Sequence, residues 1–196
     1  MDDELKLTWG TIPPVIVDLV RLMAKKAAID AERAANIKWP DQPCDVQDEP
    51  RRAISSTHKT TRAAMDLRSL LSAYAHKFHN PRPVISDLTR AQDAGSQGFI
   101  RRYSEGTVDA VESLVSPGPA VETILLAFPS LSIMDLVDLG GPVGNAAKTF
   151  RDSDSSEITA LNALRRKISN GIDVDQAKRL SEARARSKST SAKGEL

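Results

Sequence analysis

Residues 107–139 read TVDAVESLVSPGPAVETILLAFPSLSIMDLVDL, and this stretch decides the fold. Its apolar residues recur at three- and four-residue intervals in three short runs: Val108, Val111 and Leu114; Ile124, Leu125 and Leu126; Ile133, Leu136 and Val137. That spacing puts each run on one face of a helix. Ser116-Pro117-Gly118-Pro119 and Pro129 separate the runs, because a proline inside a helix removes a donor and clashes with the preceding turn. Ser132 and Asp135 stand three apart as a capping box, which predicts a fresh helix start there. The stretch carries no Lys or Arg, so it reads as three short helices in the middle of a core.

On the C-terminal side, Gly140-Gly141-Pro142 stops the last run and opens a segment that reaches Phe150. A helical hairpin is expected next, its starts framed by Asp154 with Glu157 and by Asp173 with Gln176, with a left-handed stop at Asn170-Gly171. Its apolar stripe is Ile158, Leu161, Leu164, Ile168, Val174, Ala177 and Leu180. Residues 187–196, rich in Ser, Lys, Ala and Gly, offer too little apolar surface to fold alone and read as a flexible basic tail.

On the N-terminal side, a helix capped at Ser86 and running to about Tyr103 carries Leu88, Phe99 and Ile100, with Gly95 and Gly98 weakening its middle and offering a place for it to break. Before it, a long helix from Arg51 to Phe78 offers Ile54, Met65, Leu67, Leu70, Leu71 and Tyr74 for burial and ends at Asn80-Pro81-Arg82-Pro83. The first helix is expected from Pro13 to Asn36, capped by Thr11, with a stripe of Val15, Leu19, Leu22 and Met23. Trp39 to Pro50, with three prolines among acidic and amide residues, reads as a linker. No segment shows the strict alternation of a half-buried strand. The expected class is all-α: an N-terminal helical arm and Pro-rich acidic linker over 1–50, a multi-helix bundle over 51–186, and the tail.

The chain has 196 residues and a net charge of +1, which excludes a uniformly basic coat protein and an acidic solvating chain alike. Its lone cysteine, Cys44, allows no internal disulfide, so a small disulfide scaffold is excluded and a cytoplasmic home is expected. The start MDDELK lacks the basic and apolar regions of a signal peptide, and no run near twenty residues is free of charge and proline, so neither export nor a membrane partner is expected. Charge is instead laid out in blocks. Residues 1–50 carry −4, 51–102 carry +7 together with all three histidines, 103–147 carry −6, and 148–196 carry +4. Such blocks either neutralise one another inside one fold or meet between copies in a head-to-tail assembly.

Two clusters in the basic block pair aromatics four apart with cations between them: Tyr74-Ala75-His76-Lys77-Phe78 and Phe99-Ile100-Arg101-Arg102-Tyr103. Either the rings are core and the cations their solvated rim, or the rings stack bases while the cations hold phosphates. Phosphate contact without base readout is the more economical version, because aromatics make up only 4% of the chain. The basic helices from Arg165 onward resemble a helix-turn-helix in outline, but Asp173 and Asp175 at the start of the second helix would repel phosphate. Residues 140–149 lack the glycines of a phosphate-cradling loop, since Ala147 and Pro142 occupy their places. His76 and His79 have no neighbouring acid or thiol to complete a metal site and are expected to face solvent. Cys44 lacks electropositive neighbours, and no nucleophile-elbow string is present.

No cofactor is expected. The expected function is a non-enzymatic, self-associating homo-oligomer that binds nucleic acid, RNA ahead of DNA, through phosphates without sequence preference, in the manner of a nucleocapsid or coat subunit. Arg51, Arg52, Arg62, Arg68, Arg101 and Arg102 are the expected phosphate contacts, with Lys77 secondary. The alternative is a helical adaptor or regulatory subunit that binds a protein partner.

Overall fold

The capping box at Ser132 forms as its spacing implies. The Ser132 hydroxyl accepts the Asp135 N–H at 3.2 Å, while the Asp135 carboxylate accepts the Ser132 N–H at 2.6 Å, and α7 (Ile133–Leu139) starts there. A second box was not anticipated. Ser104 and Thr107 cap each other, so the helix expected from Thr107 starts two residues earlier as α5 (Glu105–Val115). Between them lies α6 (Val121–Ala127), giving the three short helices of the charge-poor stretch.

The computed structural model describes residues 12–37, 48–153 and 155–169. Among them the remaining helices are α1 (Pro14–Ala35), α2 (Asp48–Ala73), α3 (Ile85–Ala91), α4 (Ser96–Ile100), α8 (Gly141–Arg151) and α9 (Ser155–Ser169), with a π-helical turn at Tyr74–Phe78 that continues α2. No strand occurs among the described residues, and the fold is an all-α, multi-helix bundle. No helix among them is long and apolar enough to cross a membrane. The expected cap Thr11, most of the linker with Cys44, the stop at Asn170-Gly171, the helix from Asp173 and the tail lie outside the described residues.

The core is centred where the charge-poor stretch places it. Val111, Leu114, Ile124, Leu125 and Leu136 are buried, with Leu161 and Ile168 of α9 closing over α6. Each such side chain withdrawn from water contributes about 1.5–3 kcal/mol before entropy is counted. Gly140 and Gly141 turn the chain from α7 into α8 at φ +69° and +57°, a region in which a Cβ is penalised. Gly144 then lets α8 lie against α7, since a Cβ there would sit 2.9 Å from the Val137 carbonyl oxygen.

Two expectations are corrected, and a third is met in its weaker form. The first helix is not held away as an arm: α1 packs along α2, and Ile16, Leu19 and Met23 are buried in the common core. Along α2 and into the π-helical turn the buried residues are Ala63, Asp66, Leu70, Ser72, Ala73 and Tyr74, whereas Ile54 is 70% exposed and Met65 and Leu71 also face solvent. The helix expected over 86–103 breaks at its weakened middle, dividing into α3 and α4 at the Gln92–Gly95 turn; Phe99 is buried as expected, while Ile100 is exposed.

Candidate functional site

The two aromatic clusters meet, and they meet in the core. Phe99 and Tyr103 contact edge to face with ring centres 6.2 Å apart, and the His76 ring lies 5.8 Å from Phe99 and 6.0 Å from Tyr103. His76 Nδ1 is hydrogen-bonded to the Tyr103 hydroxyl. Phe99 and Tyr74 are buried and cannot stack bases, whereas Phe78 and Tyr103 are half-buried and Tyr103 reaches the neighbouring groove. The expectation of solvent-facing histidines is corrected as well. His76 and His79 are half-buried, and burial, helped by the charges of Lys77 and Arg82, holds the His76 imidazole below its ordinary value.

Docking these rings fixes where the neighbouring cations go. The turn after α4 runs across α2, where the Ser69 hydroxyl donates to the Arg102 carbonyl at 2.8 Å. An open groove of about 690 Å³ forms between the two. One wall is the α2 face with Arg62, Met65, Asp66 and Ser69; the other is Ile100, Arg101, Arg102 and the start of α5, with Ser104, Glu105 and Thr107. Ala127 and Pro129 also line it. Arg62 and Arg101 come from segments 39 residues apart in sequence, so the fold, not the sequence, brings them together.

The seven expected contacts therefore divide. Arg62, Arg101 and Arg102 share the groove, with Arg101 exposed and without an ion-pair partner among the described residues. Arg51 and Arg52 lie at the opposite end of α2, with Arg51 about 16 Å along the axis from Arg62 at 1.5 Å per residue. Arg52 is paired with Glu49 at 3.0 Å. Arg68 is not among the residues that line the groove, and its Nε is buried without a hydrogen-bond partner among the described residues, as is the Nε of Arg102. Lys77 is exposed on the π-helical turn, outside the groove. The structure gives a local cationic groove rather than one continuous strip.

Sequence reasoning missed Asp66 and Arg165. Asp66 is buried on the groove wall, and its Oδ2 accepts the Ser130 N–H at 2.7 Å. Burial pushes its carboxyl up to about 6, against hydrogen bonding from Ser130 and the charges of Arg62 and Arg165. Arg165, grouped by sequence with a basic helix face, instead donates through Nη2 to the Pro129 carbonyl at 2.8 Å and to the Leu131 carbonyl. Asp66 and Arg165 thus both hold the loop between α6 and α7, one through a backbone N–H and the other through two carbonyls. No periodicity signals this, because an isolated Asp or Arg on a helix looks solvated until its neighbours are known.

Among the described residues no group of three His, Cys, Asp or Glu side chains is placed to hold a metal ion. The arrangement defines a helical bundle carrying an open, arginine-lined groove with hydroxyl and carboxyl groups beside it. Comparison with protein-family models, with curated proteins and with solved structures found no match.

Proposed function

We propose that this chain is a non-enzymatic, cytoplasmic, self-associating protein that binds nucleic acid through its phosphates, without sequence preference. The observation that carries this is the convergence of Arg62, Arg101 and Arg102 on one open groove. Guanidinium forks match phosphate oxygens, and Tyr103 supplies the groove's single aromatic ring among its described lining residues. RNA is placed ahead of DNA as the polyanion, and the labelled homopolymers of either sugar distinguish the two. Self-association draws its support from the alternating charge blocks and from exposed Ile54, Met65 and Leu71 on α2.

Fluorescence anisotropy with labelled homopolymeric RNAs at about 50 mM and about 200 mM salt tests the proposal. Affinity is expected to fall steeply with salt, and Arg62→Glu with Arg101→Glu is expected to weaken every homopolymer alike. Arg51→Glu, remote from the groove, has the smaller effect. Affinity that is unchanged between the two salt concentrations overturns the proposal. Light scattering with and without RNA reads the assembly.

One observation favours the second reading, a helical adaptor. An apolar groove of about 450 Å³ lies between the start of α1, the end of α5 and the α7–α8 junction, lined by Pro13, Val15, Leu114, Val115, Leu139 and Val143 among others. A monomer that purifies free of nucleic acid and shows no salt-dependent RNA binding supports that reading over the first.

A further inference from the structure

Asp66 is a buried carboxyl in the wall of a groove whose other charged groups are mostly arginines. It is 5% exposed, yet it belongs to the wall of the arginine groove, with Oδ2 held by the Ser130 N–H. Charged and titratable groups surround it from several elements. Arg62 lies on its own helix and Arg165 on α9, and both exert their charge on it. Arg101, Arg102 and Tyr103 line the groove after α4, and Glu105 lines it at the start of α5. The loop between α6 and α7 contributes Pro129 and Ser130 and no charge. None of the described groove-lining residues is a histidine.

The arginines keep their charge at any pH the protein tolerates, and the Tyr103 phenol is raised further above neutrality by burial. Glu105 is exposed on the rim, where water screens it. The groove's charge near neutral pH is therefore set by one side chain. The anion that the arginines attract is the same charge that Asp66 repels, and an ionised Asp66 opposes each phosphate that enters.

We propose that Asp66 couples polyanion binding in this groove to the uptake of one proton from solvent, an inference that rests on the groove being a phosphate-contact site. Phosphate oxygens drawn in by Arg62 and Arg101 raise the cost of the carboxylate, which takes a proton at the oxygen not held by Ser130. The neutral carboxyl can then donate that O–H to a phosphate oxygen, turning a repulsion into a hydrogen bond. No covalent bond is made or broken. The group begins near 6, so its protonation responds to small changes in pH just below neutrality. Binding is tighter in mildly acid solution and loosens as pH rises. Each unit by which the bound anion raises the carboxyl corresponds to about a tenfold difference in affinity between the two ends of the titration.

The test measures affinity for a short fluorescein-labelled oligouridylate at about pH 5.5 and about pH 7.5, in wild type and Asp66→Asn, with melting curves showing that both are folded. Wild type is expected to bind about three- to tenfold tighter at the lower pH, and Asp66→Asn to bind at both with an affinity near the wild-type value at the lower pH. His58→Gln, which removes the exposed histidine of α2, is expected to retain the dependence. A calorimetric titration of wild type near pH 6.5, in two buffers of different ionisation enthalpy, reads proton uptake directly and does not depend on the variants folding. Equal affinity at the two pH values, a dependence that survives in Asp66→Asn, or a binding heat independent of buffer overturns the proton coupling while leaving phosphate contact intact. An absence of binding at both pH values overturns phosphate contact and the coupling together.

Discussion

Lys26 Nζ lies 2.6 Å from Asp135 Oδ2, joining α1 to α7 across 109 residues of sequence. The same carboxylate oxygen accepts the N–H of Ser132 at 2.6 Å and its hydroxyl at 2.7 Å, so one group both starts α7 and ties it to α1. Burial alone would raise the Asp135 carboxyl, but the hydrogen bonds from Lys26 and Ser132 and the Lys26 charge outweigh it and hold the carboxyl below its ordinary value.

Asp135→Ala is expected to lose the cap and the pairing together, about 2–3 kcal/mol in urea unfolding. Lys26→Met, which leaves the cap intact, is expected to cost about 1–2 kcal/mol. Because the folded carboxyl is depressed, its contribution is present above the unfolded value of 3.8 and is lost as pH falls through the lower folded value. Equal unfolding midpoints for the two variants would contradict the double role.

Asp66 has the opposite sign. Its folded carboxyl is raised to about 6 from 3.8, so its contribution is complete below 3.8 and is lost as pH rises through 6. The difference corresponds to about 3 kcal/mol at 1.36 kcal/mol per unit. Asp66→Asn is expected to match wild type near pH 4 and to melt higher than wild type at neutral pH, flattening the slope between them. A variant that melts lower than wild type at neutral pH would show that the charged form is favoured in the fold.

Gly144→Ala places a methyl 2.9 Å from the Val137 carbonyl oxygen, where the neighbour is backbone and cannot rotate away. A cost of about 1–3 kcal/mol is expected, visible as a lower thermal midpoint, despite the better helix propensity of alanine. Gly118→Ala, in open space, serves as the comparison and is expected to be within about 1 kcal/mol of wild type.

Arg165→Ala removes the donor to the Pro129 and Leu131 carbonyls and one of the cations near Asp66. A loss of about 2–4 kcal/mol is expected, whereas Arg166→Ala, exposed one residue later, is expected to change stability by less than about 0.5 kcal/mol. Similar losses for both would mean that α9 is held by its apolar face alone.

Much of the fold was written in local chemistry. The capping box at Ser132, the turn at Gly140-Gly141 and the break near Gly95 each rest on neighbours within a few residues, and each is found where spacing places it. The misreadings concern long-range choices. An amphipathic helix must bury its stripe, but the sequence does not say against what, and α1 found α2 rather than another molecule. On α2 the apolar residues spread over more than one face, so periodicity assigned Ile54 and Met65 to a core that alanines and Asp66 occupy. The groove was half legible: Arg62, Arg101 and Arg102 were named as phosphate contacts, but nothing local separates them from Arg51, Arg68 or Lys77. The docking of the Phe99 and Tyr103 rings makes that separation.

The loop between α6 and α7 is gripped by Asp66 from the first half of the chain and by Arg165 from the last described helix. During synthesis the loop emerges with only one of its two partners available, and the second reaches it after some thirty further residues have been added. A nascent chain stalled before Arg165 leaves the ribosome therefore presents the groove wall without its backing.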